Sequence, residues 1–279
     1  MASFREFRGN DGFGGEAWKA LCRVRESAPL IQCITNFVSM DIMANTLLAA
    51  GASPAMVHAV EEIAEFTALS NALCVNVGTL SAEWVFAMKV AAYRANELNK
   101  PWVLDPVGVG DTKFRTESCL ELIALRPAVI RGNASDIVAA IRASSALPPK
   151  GVDGTIPAID ALEAAKELAR VSQSIVAVTG VVDLVTDGKR VLGVSNGVAL
   201  MQQITATGCA VTALIAAFVA VHPAHSLEAA AFALALFGLA GEIGMEKSNG
   251  PGSLRVHLLD ALHSLDEVTV LSRIKIAQI

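Results

Sequence analysis

Pro101 to Asp136 reads PWVLDPVGVGDTKFRTESCLELIALRPAVIRGNASD. It opens on a short apolar run, Trp102 to Leu104, followed by Asp105 and Pro106. A longer segment of helical character comes next, then a second apolar run, Ala128 to Ile130, followed by Arg131-Gly132-Asn133. Strand, helix, strand in that order is the unit of a parallel sheet, because parallel neighbours need a crossover long enough to hold a helix. Runs without polar alternation suit strands covered on both faces.

Outward from this unit the pattern repeats. Leu30 to Ile34, Leu73 to Val77 and Ile175 to Thr179 are further strand candidates, with helical segments between them. Gly51 ends one such segment, Val38 to Ala50, as a C′ glycine, and Ser81 with Glu83 opens another with a cap and a first-turn acid. Leu184 to Thr186 and Arg190 to Val194 flank Asp187-Gly188, the centre expected of a type I′ hairpin, so an antiparallel edge should finish the sheet. The last third reads as helices over Thr207 to Val221, Ser226 to Met245 and Ser253 to Ser264, punctuated by Pro223 and by Asn249-Gly250-Pro251-Gly252. Neither an internal repeat nor a linker interrupts the chain. Residues 29–279 are therefore expected to form one domain, and residues 1–28 a leader, mobile over Gly9 to Gly15, and a first helix of that same domain.

The composition narrows the function. Of 279 residues 53% are hydrophobic and 18% charged, too apolar for a disordered chain. The densest apolar stretches, Cys209 to Val221 and Ala229 to Gly241, are 13 residues each. A spanning helix needs about 20, so buried helices are expected and no membrane partner. Lys plus Arg number 22 against 27 Asp plus Glu, a net charge of −5 that offers no basic surface to a nucleic acid. The five cysteines are scattered and form no CxxC pair, against a disulfide framework or a zinc knuckle. The first 25 residues lack a secretory apolar core, and a cytoplasmic address is expected.

In a sheet of this kind ligands lie beyond the carboxyl ends of the strands, so the loops there carry the chemistry. Thr205-Ala206-Thr207-Gly208-Cys209 precedes an apolar helix and reads either as a phosphate cradle of backbone N–H groups or as a tight turn. Cys209 near a helix N-terminus is either a thiol of lowered pKa, fit to act as base or nucleophile, or an inert buried cysteine. Asp105 suits Mg²⁺ held partly through water and phosphate oxygens, or is a turn aspartate. Pro106-Val-Gly-Val-Gly110 lacks the third glycine of a dinucleotide fingerprint. Arg131 offers a fork for phosphate, and Asp136 a second carboxylate, although Asn133 with Asp136 is equally an ordinary helix cap. Thr179-Gly180 presents a hydroxyl and an N–H to a nucleotide, while Asn36 and Met56 are candidates to line a pocket for an uncharged substrate. The five histidines show no HxH or HExxH spacing and there is no GxSxG, so hydrolase chemistry is unsupported. Two strand-end carboxylates, an arginine and an anion cradle together fit Mg²⁺-assisted phosphoryl transfer.

Eight motifs then fall in a familiar order: Cys33-Ile-Thr-Asn36, Gly51-Ala-Ser-Pro-Ala-Met56, Asn76-Val-Gly-Thr79, Leu104-Asp-Pro-Val-Gly108, Phe114-Arg-Thr116, Ile130-Arg-Gly-Asn133, Val178-Thr-Gly180 and Gly250-Pro-Gly-Ser253. In these the chain, from Pro29 to Ser264, resembles the hydroxyethylthiazole kinases of thiamine salvage, members of the ribokinase-like superfamily. The resemblance implies a three-layer α/β fold, a mostly parallel sheet flanked by helices with no lid domain. It implies transfer of the ATP γ-phosphoryl group to the primary alcohol of 4-methyl-5-(2-hydroxyethyl)thiazole. By similarity Arg131, Thr179, Gly180, Asn133 and Asp105 would serve ATP, and Asp105 and Asp136 the Mg²⁺. Met56, Asn36 and Ala206 would contact the thiazole, with Thr207, Gly208 and Cys209 at the transferred phosphoryl and the alcohol. Cys209 stands where most ribokinase-like enzymes place an aspartate base.

The family resemblance also implies a homotrimer with interfacial pockets. Two departures from the family pattern are Ala206, where many relatives carry glycine, and Asp136 in place of a glutamate. The rival readings are another ribokinase-like enzyme, acting on hydroxymethylpyrimidine, a sugar or hydrated NAD(P)H, and a nucleotide-binding scaffold without catalysis. Cys209 in place of aspartate separates the first, and the presence of Asp105, Arg131 and Gly208 the second.

Overall fold

A computed structural model of the chain describes residues 12–144 and 158–279. The elements run α1 (Phe13–Ser27), β1 (Leu30–Ile34), α2 (Met40–Ala50), β2 (Ser53–Ala55), α3 (Ile63–Leu69), β3 (Ala72–Asn76), α4 (Ala82–Glu97), β4 (Trp102–Asp105), α5 (Lys113–Ala124) and β5 (Val129–Asn133). They continue α6 (Ala134–Ser144), α7 (Leu162–Ser172), β6 (Ile175–Thr179), β7 (Asp183–Thr186), β8 (Val191–Val194), α8 (Thr207–Val221), α9 (Ser226–Met245), α10 (Pro251–Ser264), α11 (Glu267–Arg273) and β9 (Ile276–Gln278). All nine strands join one sheet in the order β2-β1-β3-β4-β5-β6-β7-β8-β9. The pairs from β2 to β6 are parallel, and those from β6 to β9 antiparallel.

Strand side chains alternate between two helical layers. Cys74, Val103, Val129 and Ala177 belong to the core shared with α1, α2, α8, α9 and α10. Their neighbours Val75, Leu104, Ile130 and Val178 belong to the core shared with α4, α5, α6 and α7. Period-two alternation over a sheet covered on both sides explains why the runs are apolar throughout. The three layers expected from the sequence are present. Ser81 caps α4 by accepting the Trp84 N–H, and Gly51 ends α2 at φ 91°.

Several expectations need correction. Phe13 to Gly15 form the first turn of α1, not a mobile leader, while residues 9–11 lie outside the described residues. Asp105 ends β4, and Arg131 to Asn133 lie inside β5, not after it. The hairpin at Asp187-Gly188 exists, but φ is positive only at Gly188, so its turn is not type I′. Instead Asp187 Oδ1 accepts the N–H groups of Lys189 and Arg190, an aspartate-closed turn that lets the two strands part over four residues. The edge strands β2 and β9 were not foreseen; each is three residues long, too short to show a pattern. Pro223–Met245 is, by length and composition, long and apolar enough to span a membrane. Its most apolar stretch is 83% buried, and it packs as the central core helix beneath the sheet.

Candidate active site

The alternation that builds the core also builds the site. Asn76, Asp105, Arg131 and Thr179 follow Cys74, Val103, Val129 and Ala177 by two residues, so all four turn toward α8 at the carboxyl ends of adjacent strands. Asn76 lies beside Asp105 in register and donates to its Oδ2 at 2.8 Å and to Cys209 Sγ at 3.2 Å. Its Oδ1 accepts from Asn36 Nδ2 at 2.7 Å and from the Gly78 N–H at 3.0 Å. Thr212, one turn into α8, donates to Asp105 Oδ2 at 3.0 Å. The Arg131 guanidinium lies 3.6 Å from Asp105 and donates to Thr179 Oγ1 at 2.5 Å. Arg131 reaches so close to the start of α8 that a Cβ on Gly208 would sit 2.6 Å from its Nη1. A larger residue there would displace the guanidinium from its place beside the helix start. No side chain caps the first turn of α8, which leaves its N–H groups directed out of the helix end toward any anion.

A second carboxylate stands beside the first. Asp136 Oδ1 accepts the Gly108 N–H at 3.0 Å and Oδ2 the Asn133 N–H at 3.4 Å, while Asn133 Oδ1 accepts the Asp136 N–H at 2.9 Å. The capping alternative is thus realised as a reciprocal box, and the same carboxylate also pins the Gly108 loop. Arg115, which sequence reasoning passed over, holds that loop from the other side. Its guanidinium donates to the carbonyls of Val77, Val107 (2.9 Å) and Gly78 (2.8 Å), tying the β3 and β4 loops together.

Next to this polar knot lies a cavity of about 220 Å³ bounded by Arg131, Thr179-Gly180, Asp183, Thr207-Gly208, the segment Asn196 to Gln202 and the α9 residues Leu234 and Phe237. Arg131, Thr179, Asp183 and Thr207 bring polar groups to its lining, and Leu234 and Phe237 of α9 bring apolar ones. This is the combination expected of a site that takes a phosphate and a ring.

Charge in the site is set by burial. Asp105 is pushed above the ordinary carboxylate range by burial, opposed by Arg131, Thr212 and Asn76. Asp136 is raised to about 6 by burial and then by the charge of Asp105. Asp183, which accepts the Gly180 N–H at 2.9 Å, is raised to about 7 by burial. The Cys209 thiol is raised by burial and by Asp105, more than Arg131, Asn36 and Asn76 lower it. A helix-start thiol of lowered pKa was one of the two expectations; burial, and after it the carboxylate of Asp105, reverses that direction.

Two atoms in the knot stand out. Asp105 Oδ1 and Arg131 Nε are buried without a hydrogen-bond partner, although such atoms are nearly always satisfied. A carboxylate oxygen and a guanidinium N–H without partners, in side chains that lie against the start of α8, fit a divalent cation and a phosphate, respectively. Among the described residues no group of three His, Cys, Asp or Glu side chains converges to hold a metal. Mg²⁺ would therefore rest on Asp105 and Asp136 together with water and ligand oxygens.

Of the residues singled out by sequence, Asn36, Asp105, Arg131, Thr179, Gly208 and Cys209 come together in the knot, with Asn133 and Asp136 beside it. Thr207 and Gly180 line the cavity with Gly208. Ala206 is the N-cap of α8 at φ 61°. Met56 stands apart: it follows the edge strand β2, half-buried against the core, and lines neither the cavity nor the knot. Asn76, Thr212, Asp183 and the wall Asn196 to Gln202 were missed. For Asn76 the signal existed, since it closes a strand two residues after Cys74, as Asp105 follows Val103.

The profile of the hydroxyethylthiazole kinase family matches residues 21–268. A hydroxyethylthiazole kinase of Zea mays is 58% identical over 98% of this chain and 96% of its own. One of Arabidopsis thaliana is 56% identical over 94% and 95%. The solved structure of a hydroxyethylthiazole kinase from Pyrococcus horikoshii, 42% identical, superposes with a TM-score of 0.88 over 95% of this chain and 99% of that one.

Proposed function

The chain belongs to the hydroxyethylthiazole kinase family, and from that premise we propose how its residues carry out the ATP-dependent phosphorylation of 4-methyl-5-(2-hydroxyethyl)thiazole in thiamine salvage. The fold is the three-layer ribokinase-like one. In our reading the cavity takes the nucleoside, its ring toward Leu234 and Phe237. Arg131, Thr179 and the Gly180 N–H then meet the phosphates. The N–H groups of Thr207, Gly208 and Cys209 receive the transferred phosphoryl group, where donors directed at the equatorial oxygens stabilise the charge that spreads over them. Mg²⁺, when bound, neutralises phosphate charge beside Asp105 and Asp136. Asn36, held by Asn76, orients the acceptor alcohol, with Ala206 at the thiazole; Met56, apart from both the cavity and the knot of its own protomer, would meet the thiazole only in a pocket completed between subunits.

Attack by the alcohol oxygen forms the new P–O bond as the bond from the γ-phosphorus to the β-phosphate oxygen breaks; ADP leaves, and the hydroxyl proton passes late in the step to an oxygen of the transferred phosphoryl group and on to water. The loose transition state needs alignment more than a strong base. Cys209, whose thiol is held protonated by burial, lines the acceptor side and accepts the Asn76 amide. The observation that carries this reading is the meeting of Asp105 and Arg131, each with an unpartnered buried atom, at an uncapped helix N-terminus.

Incubation of the purified protein with Mg²⁺-ATP and a panel of thiazole, pyrimidine, sugar and hydrated-nicotinamide substrates, with mass spectrometry of the products, tests it. Phosphorylated thiazole is expected. A product from any other acceptor in its place overturns the reading.

Two finer points belong to the same proposal. Phe37 and Val38, directly after Asn36, are 71% and 58% exposed. Apolar side chains beside a substrate residue support a pocket completed between subunits, and the number three is what the family resemblance implies. Sedimentation with assay checks this: an isolated protomer with full turnover is the adverse result. A cytosolic address agrees with the free thiol at Cys209 in the reaction centre.

A further inference from the structure

The wall of the cavity has no hydrogen-bonding strand to hold it, since Asn196 to Gln202 runs between β8 and α8 as a loop with one 3₁₀ turn. What holds it is the face of α9. A Cβ on Gly238 would lie 2.4 Å from the Asn196 carbonyl oxygen, and one on Gly241 would lie 2.4 Å from Met201 Sδ. The missing side chain at Gly238 lets the loop backbone lie directly on the helix, and the one at Gly241 leaves room for the Met201 thioether. Between those contacts and the chain terminus stands Glu242, a half-buried carboxylate whose side chain is 12% exposed.

Glu242 Oε1 accepts the Gly197 N–H at 3.1 Å and Asn196 Nδ2 at 3.2 Å, and pairs with Lys275 Nζ at 3.0 Å. Arg273 approaches the other oxygen at 3.6 Å. Asn196 is gripped again by the C-terminal segment, donating to the Arg273 carbonyl at 2.9 Å and accepting the Lys275 N–H at 2.8 Å. Asn196 and Gly197 line the cavity, and Glu242 does not. A charged group is thus committed to the backbone of a ligand-facing loop from one layer behind it, with two cations of the last strand region fixing its own position.

We infer that Glu242 is a positioning residue for nucleotide binding: it holds Asn196-Gly197 against α9 in the shape that receives the nucleoside, and Lys275 couples the C-terminal segment to that shape. The inference rests on the reading of this cavity as the ATP site. A loop that must be ordered by the ligand binds it more weakly than one already in place, so releasing it acts on affinity and leaves the chemical step alone.

The test is calorimetric binding of Mg²⁺-ATP, with steady-state kinetics for both substrates, on wild type, Glu242→Ala, Glu242→Gln and Lys275→Met. For Glu242→Ala, affinity and KM for ATP are expected to weaken by about tenfold, with kcat and the thiazole KM within twofold, as loss of a charge-assisted tie predicts. Glu242→Gln keeps an acceptor for the Gly197 N–H and should recover most of the affinity. Lys275→Met changes a half-exposed side chain just before β9, and should weaken ATP by about two- to fivefold. It decides the matter if Glu242→Ala fails to fold: unchanged ATP affinity in Lys275→Met then overturns the inference. So does a folded Glu242→Ala that binds ATP as wild type does, or one that loses both substrates equally. Wild-type protein that binds no ATP overturns the kinase reading, and this inference with it; that result is distinct from normal wild-type binding matched by the variants.

Discussion

The polar knot at the strand ends and the wall of the adjacent cavity meet at Arg131 and Gly208, yet they are built by different means. In the knot, side chains from the strand ends, the loop after β1 and α8 bind one another: Asn36 to Asn76, Asn76 to Asp105, Thr212 to Asp105 and Arg131 to Thr179. In the wall, the Asn196 backbone lies on Gly238 and the Met201 side chain on Gly241, and Glu242 ties the loop from behind. A buried network of charges leaves an uncompensated group whenever one member is removed. A seated loop can shift and still bind. Variants of the knot should therefore fail in turnover, and variants of the wall in affinity.

The largest effect is expected at the knot's two ions. Asp105→Ala should lower kcat by at least about a thousandfold, some 4 kcal/mol, because it removes the one carboxylate oxygen left free for a cation and strands the Arg131 charge. Arg131→Ala should do the same and also raise the KM for ATP, since its guanidinium faces both Asp105 and the cavity. Steady-state kinetics on protein with native circular dichroism reads both. If either variant kept a tenth of the turnover, the contrast between the two regions would be lost.

Cys209→Ser sharpens the comparison from inside the knot. The thiol accepts Asn76 at 3.2 Å and is held protonated, so a serine oxygen can take the same hydrogen bond. The expected loss is about tenfold in kcat at unchanged ATP affinity, the size of a misplaced partner and not of a missing base. Abolished turnover with normal ATP binding would assign the proton transfer to Cys209 and contradict the alignment account.

These two regions were also unequally legible. The knot follows from strand-end parity: once Val103 and Val129 face one layer, Asp105 and Arg131 must face it too, and both residue types already signal phosphate chemistry. Thr179 follows by the same count. The wall left no such trace. Its residues are ordinary, and the features that seat it are glycines and a glutamate within an apolar helix that reads as plain core. The turn at Asp187-Gly188 was misread because the side chain of Asp187 satisfies the following N–H groups, which a dipeptide rule does not include. For Cys209 the sequence left an activated thiol and an inert buried one open, because what decides between them is burial and then Asp105, which comes from more than 100 positions earlier in the chain.

Asp183 offers a pH test at the cavity. Its carboxyl, raised to about 7 by burial, has an ordinary value of 3.8 in the unfolded chain. Between those values the native state keeps a proton that the unfolded state has released, so stability falls as pH rises from about 4 to 7 and then levels off. Asp183→Asn keeps an acceptor for the Gly180 N–H and removes the ionisation. It should match wild type near pH 4 and exceed it by about 1–2 kcal/mol at pH 8, the part exposure of the residue limiting the gain. Urea unfolding at the two pH values reads this. A gain that is the same at both would mean that Asp183 ionises normally.

The smallest effect is expected where the two regions join. Ala206 caps α8 at φ 61° and ψ 15°, a left-handed conformation that costs an alanine about 1 kcal/mol and a glycine almost nothing. Ala206→Gly relieves that strain but frees the unfolded chain by a comparable amount, so the net gain is about 0.5 kcal/mol or less and Tm should rise by about 1 °C. The N–H groups of the helix start keep their positions, and kcat should stay within twofold. If turnover instead rises severalfold, the methyl group at 206 has been crowding the acceptor alcohol. The cap would then constrain the reaction centre through space, not through the backbone that it already shapes.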